Sequence, residues 1–600
     1  MKLPSVRYLI DNAAQAFLRF PYPLVVAASA CLLLWWLVGQ HDLDLAWLKL
    51  LLTLSLGVPL TFSLTLMKER PPFAKRVPSI VYGPLGFLLM GVLLVTLYRH
   101  HAPNFSIYYF QWLVPSVVLV SFAAYFGYGE TNGFWHFNER LVTRVLLSGL
   151  YTLVFFAGVS VVLLFLDKLL GVEIKPEAYA RLWIFAAYVF LPWHFLAGVP
   201  RDFGELERDG SYPKAVKVFA QYLLVPLATV YFAILYAYLG KILITQQWPS
   251  GWVAWLTTSA SILGLVTLLL FFPARDREGE SWIAKYSKGF CISALPLLGM
   301  LLVSIYKRTD QYGLTERRYF LVVLALWLVG MFLYFIFSKP PDIRWVPATF
   351  CAVAALTSSG PWGADDVSFR SQRARLMGLL EKNGMWVAGK AVKAGKEVSW
   401  EDRKQISACL DYVGEYHGLM RLQPLFREDL RPAADKLKGH YGNTSDATVK
   451  VMGPLGVEYV AARAASPGDG KHFSYKVKRG EPLDVEGYAT VYRFDYFYGG
   501  TFQPCPTKGN QVTVVSGSTT AIRLCREGAG QLGPPLDDML RRLAKKYPTG
   551  GSQEDVPQEL MTTEGNGMKV CFQSLNGGPK GKEKSPATID GSGILLLKRR

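Results

Sequence analysis

Residues 345–376 read WVPATFCAVAALTSSGPWGADDVSFRSQRARL, and this stretch divides the chain into two chemistries. Before it, long apolar runs follow one another almost without pause. At Gly360-Pro361-Trp362-Gly363 the hydrophobicity stops, and Phe369 to Leu376 opens a polar helical pattern with Arg370, Arg373 and Arg375 close together. The 600 residues exceed one domain. A hydrophobic content of 51% with only 18% charged residues and 16 Trp marks a polytopic membrane protein. The expected fold is an all-α transmembrane bundle of about eleven helices followed by a C-terminal α+β soluble domain. Its parts are an amphipathic interfacial helix over 1–20, a membrane domain over 21–359, a helical segment over 360–425 and an α+β domain over 426–600.

Residues 1–20 are too polar to span, but Val6, Ile10, Ala13 and Phe17 recur at helical spacing with Arg7 and Arg19 off that stripe. That pattern lies along a membrane surface. Tyr22 to Gly39 is the first crossing, an uncleaved anchor because Leu32-Leu33-Leu34-Trp35-Trp36 continues past the small residues Ala28 to Ala30. With about 20 apolar residues per crossing, ten more fall near 45–67, 77–98, 107–128, 142–167, 179–199, 216–240, 251–272, 289–306, 319–337 and 343–359. Prolines 59, 84, 115, 192, 226, 296 and 347 lie inside them, as membrane helices tolerate when neighbours satisfy the freed carbonyls.

The formal charge of +18 is spread over both halves: 29 Lys+Arg against 19 Asp+Glu before position 361, and 35 against 27 from there on. No basic block with interleaved aromatics singles out nucleic acid as a partner. Loop cations set orientation instead. With the N-terminus inside, 19 Lys and Arg fall on the cytoplasmic side and 10 outside, although Lys307, Arg308, Arg317 and Arg318 oppose that sense. Eleven crossings then place the C-terminal domain in the periplasm of a two-membrane bacterium, whereas ten would leave it in the cytoplasm.

In the soluble part, one helix near 367–383 ends at Asn383-Gly384, and a second starts at the capping box Ser399-Trp400-Glu401-Asp402 and stops at His417-Gly418. From about 447 the period changes to that of strands: Val449–Val451, Phe473–Val477, Tyr488–Phe497, Gln511–Val515, Ala521–Cys525, Met568–Gln573 and Ile594–Leu597. A helix is expected near 535–547, and the Gly/Lys/Ser-rich residues 577–592 read as a loop.

Three stretches carry a resemblance. They are Tyr312-Gly313-Leu314-Thr315-Glu316-Arg317-Arg318-Tyr319; Gly360-Pro361-Trp362-Gly363 with Ser368-Phe369-Arg370-Ser371-Gln372 and the helix end Leu379 to Gly384; and Asp411-Tyr412 to His417-Gly418. Together they resemble the bacterial polytopic membrane family catalogued as domain of unknown function 4153, over roughly residues 20–425. The resemblance implies a membrane-plus-soluble layout in the bacterial inner membrane. It transfers no catalytic residue.

No HExxH, nucleophile elbow, Walker A loop or dinucleotide fingerprint is present. No metal site or cofactor is therefore expected, and none of the seven cysteines forms a CxxC pair. In an exported domain Cys505 and Cys525 are the favoured disulfide pair. Among ionisable groups in crossings, Lys49, Arg144, Asp167, Lys168, Arg181, Lys214 and Lys217 lie near enough to an end to snorkel. His194 lies deeper, beside Pro192, and is a candidate for proton or ligand binding against the plainer reading of a packing histidine. Gln111 and Gln221 read as interhelical hydrogen-bond partners. Glu130 and His136, in an aromatic loop at the inner interface, are candidates for a headgroup or partner site; the plainer reading is an aromatic anchor. Arg370, Arg373 and Arg375 could meet phospholipid headgroups or simply form a solvated helix face. Tyr492, Tyr496 and Tyr498 share one face of a strand.

Three function classes fit these features. The first is a non-catalytic envelope sensor or scaffold in the lipid bilayer that displays a soluble domain to another envelope protein. The second is a solute transporter, and the third an enzyme acting on a lipid-linked substrate, for which no nucleophile or base stands out.

Overall fold

The computed structural model describes residues 14–40, 44–70, 78–99, 105–246, 252–275, 281–437, 444–461, 473–477, 485–495, 510–516, 520–526, 529–547, 551–580 and 585–598. Most of the chain is helical, with a small C-terminal sheet region. It separates into two compact units: residues 1–375 with 415–418, and residues 376–414 with 419–600.

The apolar helices of the first unit are α1 Pro21–Leu37, α2 Leu45–Glu69, α3 Tyr82–Arg99, α4 Phe105–Ala123, α5 Thr131–Leu170, α6 Pro176–Ala197, α7 Lys214–Thr245, α8 Trp252–Phe271, α9 Ser281–Tyr312, α10 Glu316–Phe337 and α11 Trp345–Thr357. By length and composition seven of them, α2 and α5 to α10, are able to cross a membrane. The remaining four are apolar but shorter. Of the expected interfacial helix, residues 14–19 are helical and the rest lies outside the described residues.

Hydroxyl side chains return hydrogen bonds to their own helix where water would otherwise serve. Thr61 Oγ1 donates to Gly57 O at 2.6 Å, Ser63 Oγ to Pro59 O at 2.8 Å and Ser116 Oγ to Trp112 O at 2.7 Å. Pro192 and Pro226 act differently. Each follows a π-helical turn, Ala186–Phe190 in α6 and Phe219–Leu224 in α7, so the register slips just where the proline N–H is missing.

Packing uses close approach: Gly264 lies beneath the Phe290 ring, and a Cβ there would sit 1.7 Å from Phe290 Cζ. Phe290 also meets Phe232 at 4.6 Å and Phe332 at 5.8 Å between ring centroids, forming the centre of a buried cluster from α7 to α10. A second cluster gathers Phe20, Phe62, Phe122, Tyr125, Trp135 and Phe137 at one end of the helices. Helix α5 is the longest of the described helices. Its 40 residues extend about 60 Å, roughly twice a hydrocarbon core. Phe134 to Phe137 are buried in its first turns, whereas Val145, Leu146, Leu150, Val154, Val161 and Phe165 are exposed farther along. Such a bare apolar face is stable with lipid as its solvent.

Helix α12 (Ala364–Lys382) belongs to the first unit as far as Arg375, as do Glu415–Gly418; in the second unit a two-stranded hairpin pairs β1 Trp386–Val387 with β2 Lys390–Ala391. Helix α13 (Trp400–Tyr416) buries Ile406, Cys409, Leu410 and Val413, the face its sequence period predicts. Its capping box is present: Ser399 Oγ accepts from Asp402 N at 3.2 Å.

The C-terminal strands are β3 Phe473–Val477, β4 Tyr488–Asp495, β5 Asn510–Ser516, β6 Thr520–Arg526, β7 Ala529–Pro535, β8 Gly551–Val556, β9 Thr562–Gly565, β10 Met568–Lys580 and β11 Ser585–Lys598. One sheet has the order β4-β11-β10-β3-β8 with β9 also on β10, and β5-β6-β7 form another. Met568, Val570 and Phe572 share a face of β10; a bulge between Phe572 and Ser574 then shifts the phase, so Leu575 joins the same core. That core also takes Leu536, Met539 and Leu543 from the helix Asp537–Lys546.

Two expectations are corrected here. Val449–Val451 belongs to a helix, Thr444–Met452, whose buried Ala447, Thr448, Val451 and Met452 follow helical spacing. Residues 577–592 are mostly strand: Gly577 pairs with Ile589 and Asn576 with Asp590, because a hairpin ladder satisfies the backbone whatever its side chains. Strands β1, β2, β7, β8 and β9 were not foreseen, being short or rich in Gly, Pro and Glu.

Asp402 anchors α13. Its carboxylate accepts from Lys382 Nζ at 2.8 Å and Asn383 Nδ2 at 3.3 Å. Burial pushes this carboxyl up, but the hydrogen bonds from Lys382, Asn383 and Ser399 outweigh it and hold the carboxyl below its ordinary value. The stabilisation is thus present above the ordinary carboxylate range and is lost as pH falls through the lower folded-state value. Asp402→Ala is expected to cost about 2 kcal/mol at neutral pH, measured as faster hydrogen exchange across Trp400–Tyr416 in the full-length protein; unchanged exchange would refute this.

Candidate functional site

Between α9 and α10 the chain turns through Gly313 at φ +71, a left-handed conformation that glycine adopts without strain. This turn is stapled from several directions. Arg318 Nη1 donates to Gly313 O at 2.5 Å, Leu314 N to Ser371 Oγ at 2.9 Å, and Tyr319 Oη to Trp362 O at 2.6 Å. Gln372 Nε2 donates to Tyr312 O at 3.1 Å and to Leu314 O at 3.3 Å. A Cβ at Gly313 would lie 2.6 Å from that same Gln372 nitrogen. The quoted stretches around 312–319 and 360–372 therefore meet.

The third stretch joins them at His417. Gly418, at φ +78, ends α13 and leaves the His417 ring enclosed, with its side chain 0% exposed. Nδ1 lies 2.7 Å from Asp365 Oδ1, and Nε2 lies 3.2 Å from Glu316 Oε1. Ser368 Oγ lies 3.0 Å from Glu316 Oε1 and 3.3 Å from His417 Nε2. Phe369 packs against the ring at 5.6 Å between centroids.

The helix ends suit this arrangement. Glu316 and Asp365 lie in the first turns of α10 and α12, where the positive end of the helix dipole favours carboxylates. His417 follows the last turn of α13, where the negative end favours a cation. Both acceptors facing the imidazole are carboxylate oxygens, which accept but do not donate when ionised.

Ser368, His417 and Asp365 are the residue types of a nucleophile, base and orienting acid. The geometry does not favour that chemistry. Ser368 is 0% exposed, and its hydroxyl also faces Glu316 Oε1 and Asp365 O, each at 3.0 Å. What the cluster can do is hold three helix ends together by charge and offer oxygen and nitrogen ligands to a cation: Glu316, Asp365 and His417 present ligand atoms within 4.8 Å of one another.

The residues nominated from sequence lie elsewhere. His194 Nδ1 is 2.8 Å from Ser148 Oγ, with Tyr151 and Phe190 against its ring. Glu130 pairs with Arg70 at 2.5 Å, and the Arg70 guanidinium lies over Tyr128 at 4.1 Å and over Tyr125 and Phe203 at 5.1 Å. His136 is buried 3.9 Å from Asp209, whose carboxyl is held low chiefly by hydrogen bonds from Ser211. Its Nε2 has no protein partner among the described residues. Arg370 donates to Pro361 O and, at 3.2 Å, to Asp366 O; Arg373 and Arg375 are half-buried.

Lys49 lies in the first turns of α2, next to the last turn of α3. It is buried, with its ammonium 5.4 Å from the centre of the Tyr98 ring. Gln111 takes part between helices through its main chain, where its O accepts from Ser358 Oγ at 3.1 Å. Cys505, Tyr496, Tyr498 and the side chains of Cys525 and Tyr492 lie outside the described residues. A cavity of about 310 Å³ at the other end of the helices combines Arg275, Lys288 and Lys339 with Phe271 and Phe335.

Sequence reasoning quoted Glu316, Ser368 and His417 inside motifs but assigned them no chemistry. They are 49 to 101 residues apart, so no local spacing brings them together.

The family model described as Domain of unknown function (DUF4153) matches residues 13–376, more than half of the chain, and the chain belongs to that family. Glu316, Asp365 and Ser368 lie within the matched region and His417 beyond it. An uncharacterised protein of Pasteurella multocida is 28% identical over 199 residues, 33% of each chain, so the match spans about a third of that relative. No solved structure matches the chain.

Gly313→Ala is expected to destabilise the turn by about 1–2 kcal/mol, since an L side chain is strained at this φ. Gly299, inside α9, has open space around its Cβ position. Faster hydrogen exchange over Leu314–Tyr319 in Gly313→Ala but not in Gly299→Ala would support this, and equal behaviour of the two would overturn it.

Proposed function

We propose that this member of the DUF4153 family is a multi-pass protein of the bacterial inner membrane that serves as an envelope sensor or scaffold rather than as a catalyst. In this reading all eleven apolar helices cross, the N-terminus is cytoplasmic, and the chain beyond α11 emerges in the periplasm to meet another envelope protein. The four shorter helices reach across by tilt of their neighbours and local thinning of the bilayer.

The observation that carries the reading is the buried Glu316–His417–Asp365 bridge. It joins the start of a membrane helix, α10, to the two helices α12 and α13 that follow the last apolar one. Such a bridge is suited to transmitting a change in the water-facing helices to the α9–α10 pair, since breaking one partner of a buried charge pair leaves the other uncompensated. A site so enclosed is poorly suited to turnover.

A transporter is the second reading, supported by the π-helical turns before Pro192 and Pro226 and by Ser148–His194 between α5 and α6.

Sidedness is read with single cysteines in a cysteine-free full-length protein. In intact spheroplasts an impermeant thiol reagent should label Lys396→Cys, while Glu205→Cys should label only after permeabilisation; both residues are exposed. Labelling of the two on the same side would overturn the eleven-crossing layout. Separately, His417→Ala should speed hydrogen exchange over Leu314–Tyr319, and no change there would remove the bridge from the proposal.

A further inference from the structure

We propose that Glu316, His417 and Ser368 form a binding site for one first-row divalent cation of the zinc or manganese type, with Asp365 positioning the imidazole. Glu316 Oε1, His417 Nε2 and Ser368 Oγ form a triangle with edges of 3.0, 3.2 and 3.3 Å. Ligand atoms about 2.0–2.2 Å from a shared metal stand roughly 2.9–3.5 Å apart in octahedral or tetrahedral arrangement, so one ion can touch all three with little movement. Asp365 is on the far side of the ring, 2.7 Å from Nδ1, and takes no part in the triangle. That is the place of the outer carboxylate that fixes a ligating histidine's tautomer and strengthens it as a donor.

Charge supports the same assignment. Glu316 and Asp365 are two carboxylates within reach of one imidazole, and a divalent cation is the charge that such a pair of acids accommodates. The donor set selects the class of ion. One imidazole nitrogen with carboxylate and hydroxyl oxygens suits zinc, manganese, cobalt or ferrous iron, and water can complete the shell. Calcium requires more oxygen ligands than this pocket presents. All three contact residues are nine-tenths or more buried, and they come from three separate helix ends: α10, α12 and the residue after α13. A bound ion would therefore fasten the α9–α10 turn to the helices beyond α11 more firmly than hydrogen bonds alone. This deepens the sensor reading by naming its ligand, and it rests on that reading only for the consequence of binding.

The test uses untagged full-length protein in detergent, stripped with a chelator, dialysed, and titrated with Zn²⁺ or Mn²⁺ alone. Bound metal per chain is counted by mass spectrometry, and affinity is read by competition with a chromogenic chelator. The expected result is one tightly held ion that is lost in Glu316→Gln and His417→Ala, and a 10–100-fold weaker one in Asp365→Asn. Glu316→Gln preserves size and keeps one acceptor oxygen, so loss of the ion with unchanged hydrogen exchange in α13 separates loss of a ligand from misfolding. Wild-type protein that retains no ion, or binding indifferent to both Glu316→Gln and His417→Ala, would overturn the site. If wild type binds no metal yet His417→Ala still loosens Leu314–Tyr319, the bridge stands and the metal falls. If the ion binds at the cluster but hydrogen exchange over that segment is the same with and without it, the metal stands and its sensing role falls.

Discussion

Lipid offers no hydrogen bonds to a polypeptide, and the first three-fifths of this chain is shaped by that fact. Every helix there must satisfy its own backbone and still pack against its neighbours, and the chain uses three devices. Serines and threonines near Pro59 and Pro115 bond back to carbonyls one turn earlier. The turns before Pro192 and Pro226 widen into π geometry. Elsewhere glycines such as Gly264 bring helices close enough for dispersion contacts to replace the hydrophobic drive that lipid cannot supply. The same constraint explains why α5 can leave Val145 to Phe165 uncovered, an arrangement that would aggregate in water.

The ion pairs that tie these helices to one another lie near the helix ends, and the two ends differ. At one end cations meet acids among aromatic rings: Arg70 with Glu130, Tyr125 and Tyr128, and Arg19 with Glu69 at 2.7 Å and the carbonyls of Val199 and Pro200. Guanidinium suits such a setting because it stacks and forks while staying charged. At the other end an imidazole takes the cation's place between Glu316 and Asp365. Imidazole is the weaker charge but the more adaptable group, able to donate from both nitrogens or to give one to a metal. The proposed cation site rests on that difference.

The broad architecture was legible because hydropathy acts over tens of residues. The break at Gly360 to Gly363, the capping box at Ser399 and the stop at His417-Gly418 are all local signals with local causes. Local signals failed where context decides. Val449–Val451 has strand-like side chains, yet it lies in a helix that buries Val451 and Met452. Residues 577–592 have loop-like composition, yet their backbone is paired across a hairpin.

The candidate site was illegible for a stricter reason. Glu316, Asp365, Ser368 and His417 each have an ordinary local explanation: a helix start, a helix start, a small helical residue and a helix stop. Those explanations are correct, and they are also why the residues can meet. Carboxylates belong at helix beginnings and imidazolium at helix ends, so converging two beginnings and one end brings two acids onto one base without cost to any helix. The functional arrangement is therefore built from residues that each already serve their own helix, and only the meeting of the three ends, set by the Gly313 turn and the Gly418 stop, distinguishes it from capping. A reader of the chain alone can list such ends but cannot know which of them come together.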